Sequence, residues 1–143
     1  NVRPLEMEAA IGSEQLRKLP AFVAQRRQNA ALFQSLFRDH EHFMIQKEVG
    51  ESSWFGFSLI LRPASRLTRK EVVSWLVGHG IECRPIVGGN FTKNPVMRWL
   101  DHTIHGDLRN ADHLDHAGLF VGNQETSLAS QIRHLSEVLS ALG

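Results

Sequence analysis

Trp54-Phe55-Gly56-Phe57-Ser58-Leu59-Ile60-Leu61 is the stretch that decides the fold. It is too rich in aromatic and branched apolar residues for a surface helix, so it reads as a strand. Alternation would set Phe55, Phe57, Leu59 and Leu61 on one face. Gly56 leaves room on the other face, where Trp54 is expected to show an edge to solvent or a ligand. Arg62-Pro63 ends the run. Before it, Val49-Gly50-Glu51-Ser52-Ser53 reads as a turn that follows a short extended segment at 42–48.

After it, Thr68-Arg69-Lys70-Glu71 is a capping box, in which hydroxyl and carboxylate satisfy each other's orphan backbone donors and start a helix. Val72, Val73, Leu76 and Val77 are its expected core stripe, and Gly78 and Gly80 its stop. Residues 81–87 read as a strand and Gly88-Gly89-Asn90 as a loop. Short helices follow at 94–100 and 108–117, and a short strand at 119–121 closes in Gly122-Asn123. The last helix places Leu128, Ile132, Leu135, Leu139 and Leu142 on one face. The first third is helical in two pieces. In 6–19, Met7, Ala10, Ile11 and Leu16 fall at roughly helical spacing, with Pro4 suited to a first turn. Pro20 opens the second piece, which ends near His40 and has Phe22, Val23, Ala30, Phe33, Leu36 and Phe37 as its apolar face. Helices, strand, helix, strand, helices, strand and helix in that order predict an α+β domain, a small and mostly antiparallel sheet covered by helices.

The 143 residues, 42% of them hydrophobic, suffice for one domain with a real core. A net charge of +1 excludes bulk electrostatics as a reason to bind nucleic acid or an anionic membrane. No apolar run reaches the ~18 residues of a membrane span. The single Cys83 cannot form an internal disulfide, which fits a reducing cytoplasm. The start, Asn1-Val2-Arg3-Pro4, has neither an initiator Met nor signal-peptide features, so the chain reads as a piece of a longer protein. Its basic residues are 12 Arg and 4 Lys, a bias that suits fixed anion contacts.

Little here looks like a complete catalyst. No serine sits in a nucleophile elbow, and Gly88-Gly89-Asn90 lacks the Lys and Ser/Thr of a P-loop. Cys83 stands beside Arg84, which would favour its thiolate, yet a lone strand cysteine is commonly a small buried hydrophobe. His102 and His105, then His113 and His116, are paired at three-residue spacing and could offer metal ligands, or simply a polar surface around a short helix. The remaining polar candidates lie at strand ends and loops. Arg84 is held by Pro85, Asn90 follows two glycines, Asn123 follows Gly122, and Asn1 and Arg3 precede the first helix, where a phosphate is favoured. Each also reads as a capping or turn residue. Together they suggest a surface for a phosphorylated, hydroxyl-rich ligand.

The opening Asn1-Val2-Arg3-Pro4-Leu5-Glu6-Met7-Glu8-Ala9-Ala10-Ile11-Gly12-Ser13-Glu14-Gln15-Leu16, with Leu19-Pro20 and Arg26, resembles the start of the C-terminal small domain of the sugar aminotransferases. These are fold type I enzymes dependent on pyridoxal or pyridoxamine 5'-phosphate. Ser53-Trp54-Phe55-Gly56-Phe57, the run from Gly80 through Arg84 to Phe91, and Phe120-Val121-Gly122-Asn123 are similar to the family's nucleotide-sugar 3-dehydratase branch, nearest to the enzymes of GDP-linked 4-keto-6-deoxymannose. The resemblance covers the whole chain. One departure is Gln124, where the branch often has His.

The resemblance implies a domain that closes over a nucleotide-linked 4-keto-6-deoxyhexose on its way to a lipopolysaccharide O-antigen sugar. The cofactor would be pyridoxal or pyridoxamine 5'-phosphate in a parent enzyme, with none bound to this chain alone. Asn1 and Arg3 match positions that reach the cofactor phosphate of a neighbouring subunit in a homodimer. Arg84, Gly89 and Asn90 match the segment lining the sugar nucleotide, and Trp54 and Asn123 border it. The base, a histidine in place of the family's lysine, belongs to the missing N-terminal domain, so no catalytic residue and no metal ligand is assigned here. A nucleotide-sugar aminotransferase domain, and a free-standing sugar-nucleotide or metal-binding module, are the alternatives.

Overall fold

The computed structural model describes residue 3 and residues 5–142. Helix α1 runs unbroken over Glu6–Phe37, followed by strands β1 (Phe43–Ile45) and β2 (Gly56–Leu61), helix α2 (Arg69–Gly78) and the two-residue β3 (Arg84–Pro85). Two short 3-10 turns, Phe91–Lys93 and Pro95–Trp99, lead to α3 (Arg109–Ala117), β4 (Gly118–Gly122) and α4 (Ala129–Ser140). The four strands form one antiparallel sheet in the order β1-β2-β4-β3.

The core lies on one face of this sheet. Phe57, Leu59 and Leu61 of β2 and Leu119 and Val121 of β4 point into it, against Ala30, Phe33 and Phe37 of α1, Val72 and Leu76 of α2, and Ile132, Leu135 and Leu139 of α4. Phe33 stacks on Phe57 at 4.4 Å and on Phe37 at 4.7 Å between ring centroids. Such stacked pairs add about 0.5–1.5 kcal/mol each beyond the area they bury. The end of α3 and Ile86 cover part of the other face. A β-carbon on Gly118 would lie 2.5 Å from the Leu114 carbonyl and 2.6 Å from Ile86.

Four local expectations need correction. Pro20 sits inside α1 and does not divide it. Residues 6–21 are exposed all round, so the carbonyl that Pro20 leaves without a donor faces water and costs little. In that half the apolar residues form no single face, since Leu16 lies about half a turn from Met7. Val77 is 62% exposed and lies outside the α2 core stripe. The strand expected over 81–87 shrinks to Arg84–Pro85, the two residues that pair with Phe120 and Leu119. Phe55 does not share the face of Phe57, for a reason given below. The Thr68 capping box forms as the sequence indicates, with the Thr68 N–H donating to Glu71 at 2.7 Å and the Glu71 N–H to the Thr68 hydroxyl at 3.3 Å. The Thr68 N–H, and then the Thr68 hydroxyl donating at 2.8 Å, hold the Glu71 carboxyl below its usual range.

Candidate functional site

Trp54 and Asn123 meet at one end of the sheet, where β2 begins and β4 ends. Both are buried, at 2% and 6% exposure, so Trp54 does not offer its edge to a ligand. Its ring packs 6.2 Å from that of Phe57. The Asn123 amide donates to the Trp54 carbonyl at 2.9 Å and to the Arg26 carbonyl at 3.1 Å. Arg26 adds its own donors, Nη2 to the Trp54 carbonyl at 2.6 Å and Nε to the Ser53 carbonyl at 3.1 Å. The bond from Arg26 Nη2 is charge-assisted, the stronger kind.

Asn29 completes this corner. Its Nδ2 donates to Asn123 Oδ1 at 3.0 Å and to the carbonyls of Gln124 and Thr126 at 3.1 and 2.8 Å. Its Oδ1 accepts from the Leu128 N–H and from Gln25 Nε2, both at 3.1 Å. One side chain thus ties α1 to the end of β4 and to the start of α4. The sequence reading missed it, although an Asn four residues before Phe33, on the buried face of α1, was a usable signal.

Arg84 extends from the edge strand with its side chain 71% exposed and paired to Glu82, Nη2 to Oε1 at 2.9 Å. It lines a cleft of about 540 Å³ together with Phe55, Phe120, Glu82, Asn123 and Gln124. The Cys83 thiol is pushed up by burial and then by the Glu82 charge, so Arg84 does not activate it.

Gly89 and Asn90 form a separate cluster on α3. Gly89 has φ +51°, and a β-carbon there would fall 2.0 Å from Asp115 Oδ1. Only glycine fits both the backbone and the approach. Asn90 donates to Asp112 at 2.7 Å while its Oδ1 accepts from the N–H and hydroxyl of Thr92. Lys93 bridges Asp112 at 2.6 Å and Asp115 at 3.6 Å. Its hydrogen bond, with that of Asn90, holds the Asp112 carboxyl below the usual range, and Lys93 is raised in return. Lys93, Asp112 and Asp115 were also missed, because nothing in their spacing announces that the glycine loop lies on α3.

Arg3 is exposed ahead of α1. Asn1, the other expected phosphate contact, lies outside the described residues. The histidine pairs do not converge: His113 Nε2 lies 2.9 Å from the Leu61 carbonyl, and His116 and His102 turn back on the Asp112 and Leu100 carbonyls. Among the described residues, no three His, Cys, Asp or Glu side chains are placed to hold a metal. None of the described helices is long and apolar enough to cross a membrane. The structure therefore brings together Trp54 with Asn123, and Gly89 with Asn90, and leaves Arg84 on the rim of the cleft.

Comparison with known proteins returns one family over nearly the whole length. The model of the DegT/DnrJ/EryC1/StrS aminotransferase family matches residues 1–137. The GDP-4-keto-6-deoxy-D-mannose 3-dehydratase of Yersinia pseudotuberculosis is 54% identical over 140 residues, 97% of this chain and 36% of that protein. The solved E. coli GDP-4-keto-6-deoxy-D-mannose-3-dehydratase with bound hydrated PLP is also 54% identical and superposes with a TM-score of 0.94, over 97% of this chain and 36% of that one. A variant solved with bound GDP-perosamine gives the same TM-score, 0.94, at 53% identity and the same coverage, 97% and 36%. The chain thus spans about a third of the length of the relatives it matches.

Proposed function

Because the chain belongs to the DegT/DnrJ/EryC1/StrS aminotransferase family, we propose that it is the C-terminal small domain of a nucleotide-sugar 3-dehydratase. The parent enzyme removes the C3 hydroxyl of a GDP-linked 4-keto-6-deoxyhexose, a step toward a lipopolysaccharide O-antigen sugar. The observation that carries this reading is the 54% identity to the GDP-4-keto-6-deoxy-D-mannose 3-dehydratases, spread over 97% of the chain. The aminotransferase alternative has the same fold and lower similarity, such as 18% identity to the Helicobacter pylori aminotransferase PseC.

When bound, pyridoxamine phosphate supplies an amine for the sugar ketone and a ring that accepts electrons as the hydroxyl leaves. This chain's share is narrower. Arg3, exposed before α1, has the chemistry of a phosphate contact, and Asn1 joins it in the proposed site. In a homodimer both reach the cofactor phosphate of the other subunit. Arg84 presents a guanidinium on the cleft rim for the substrate's diphosphate. Asn123, Arg26 and Asn29 hold the corner behind it, and the clamp of Asn90 and Lys93 on α3 fixes the Gly89 loop. The proton-transfer base belongs to an N-terminal domain. We infer a cytoplasmic setting, in keeping with the lone thiol and a nucleotide-linked substrate.

The test is a chimera in which this chain replaces the corresponding third of the E. coli enzyme. Dehydration of GDP-4-keto-6-deoxy-D-mannose by the chimera is the expected result. A chimera that folds, dimerises and binds cofactor yet neither binds nor dehydrates that substrate refutes the proposal. Amino transfer in place of dehydration would favour the aminotransferase alternative.

A further inference from the structure

Trp54 and Phe55 are neighbours with opposite fates: Trp54 is 2% exposed in the core, and Phe55 is 80% exposed. The inversion is made by the backbone. Trp54 has φ +53°, a conformation that a bulky L-residue adopts only when its surroundings impose it. Here they do. Arg26 and Asn123 both donate to the Trp54 carbonyl, and the Trp54 N–H is taken by the Ser52 hydroxyl at 2.9 Å. Gly56 comes next, and a β-carbon there would lie 2.9 Å from the Phe120 ring and 2.8 Å from the Val121 carbonyl. Phe120 therefore lies close over the strand, its ring 6.1 Å from that of Phe55 with the planes at 40°. Both rings line the cleft that also holds the Arg84 guanidinium. Strain, a buried polar network and an obligatory glycine thus combine to keep the exposed Phe55 ring against the half-buried Phe120 ring, on a cleft shared with Arg84 and its ion-pair partner Glu82.

We propose that Phe55 and Phe120 are the platform on which the base of the nucleotide-linked sugar stacks, a role that rests on the substrate class proposed above. Of the parts of such a substrate, the base alone is planar and aromatic, and the diphosphate is the anionic part that Arg84 complements. Arg26 and Asn123 are then positioning residues, because they set the Trp54 backbone that turns Phe55 outward.

The experiment is an NMR titration of the 143-residue chain, carrying labelled phenylalanine rings, with GDP, ADP and inorganic pyrophosphate. GDP is expected to move the Phe55 and Phe120 ring signals saturably, at roughly millimolar affinity or better. Phe55→Ala is expected to weaken GDP at least about fivefold. It should leave pyrophosphate binding and the thermal midpoint unchanged, since the ring is exposed in the free chain. Asn123→Ala should weaken GDP as well, with both rings still present. GDP binding that Phe55→Ala does not alter overturns the platform, as does the absence of ring shifts at about 10 mM GDP. ADP binding as tight as GDP supports the platform and counts against a GDP-linked substrate. A chimera active with an unimpaired Phe55→Ala leaves the dehydratase reading standing and removes this one.

Discussion

Asn29→Ala is the substitution that tests the described architecture most sharply. The side chain is 3% exposed and takes part in five hydrogen bonds, four of which join segments far apart in the chain. Truncation leaves the Asn123 oxygen, the Thr126 carbonyl and the Leu128 N–H without these partners. A buried group left unpaired costs about 1–3 kcal/mol. Some of the three are partly buried and water will reach them, so we take the low end for each and arrive at about 3–4 kcal/mol, with a small cavity added. That is a large share of the ~5–15 kcal/mol that holds a domain of this size. The same substitution at Asn94, whose Oδ1 caps an exposed 3-10 turn through the Val96 N–H, should cost only about 1 kcal/mol. Urea denaturation of the two variants against the parent chain measures both. A double-mutant cycle with Asn123→Ala should return a coupling above about 1 kcal/mol, because the two amides touch. A loss below about 1 kcal/mol for Asn29→Ala would mean the corner is held by packing alone and the network is incidental.

Three further outcomes are expected. Gly118→Ala places a methyl group against the Leu114 carbonyl, and overpacking of about 1–3 kcal/mol should lower the thermal midpoint by roughly 3–10 °C; an unchanged midpoint would show that α3 can slide away. His40 stacks on Phe37, and its Nδ1 accepts from the His42 N–H, while burial, then His42, holds its pKa below 6.5. The unfolded chain then takes up the proton first, so this contribution is complete above pH 6.5 and lost as pH falls toward the folded pKa. His40→Asn, which keeps an acceptor there, should flatten that limb of the stability–pH curve, and an unchanged limb would assign it elsewhere. Met7, Ile11, Leu16 and Leu19 are 72%, 63%, 67% and 47% exposed, so the isolated chain should self-associate in sedimentation runs; a clean monomer that binds no apolar dye counts against this.

The parts of the fold governed by neighbours in sequence were legible, and those governed by a single long-range bond were not. The Thr68 box works within four residues, and the strand at Gly56–Leu61 and the apolar stripes of α1 and α4 follow from periodicity. Pro20 misled because the rule that proline ends a helix weighs a lost hydrogen bond without knowing whether water replaces it. Phe55 misled because alternation assumes an extended residue before it, and one positive φ at Trp54 reverses the count. The place of Asn29 on the apolar face of α1 was legible, but what it joins was not, because its partner Asn123 lies 94 positions away. Asn90 and Asn123 were read as facing a ligand, and in the structure both amides bond within the fold. Residue type and position made Arg3 and Arg84 candidates for an anionic ligand, and only the family resemblance said which ligand, since an exposed guanidinium at a helix start or strand edge has many uses.

This use of the polar residues bears on what kind of protein this is. A self-sufficient binding module would turn several of its amides and charges into one pocket. Here Asn29, Asn90, Asn123 and Arg26 turn inward and hold backbone, and their effect is to fix what stands outside: the Phe55 ring, the Gly89 loop and the exposed edge from Glu82 to Arg84. Surface apolar residues reinforce the point, with Val87 at 85% and Trp99 at 78% exposure on the segment that follows that edge. Covering side chains of that size is worth about 1.5–3 kcal/mol each, a stabilisation the chain forgoes when alone. A frame that spends its amides on its own backbone and leaves Phe55, the edge from Glu82 to Arg84 and an apolar rim outside fits the small domain proposed above better than the free-standing module, because the exposed groups gain their stabilisation only when something covers them.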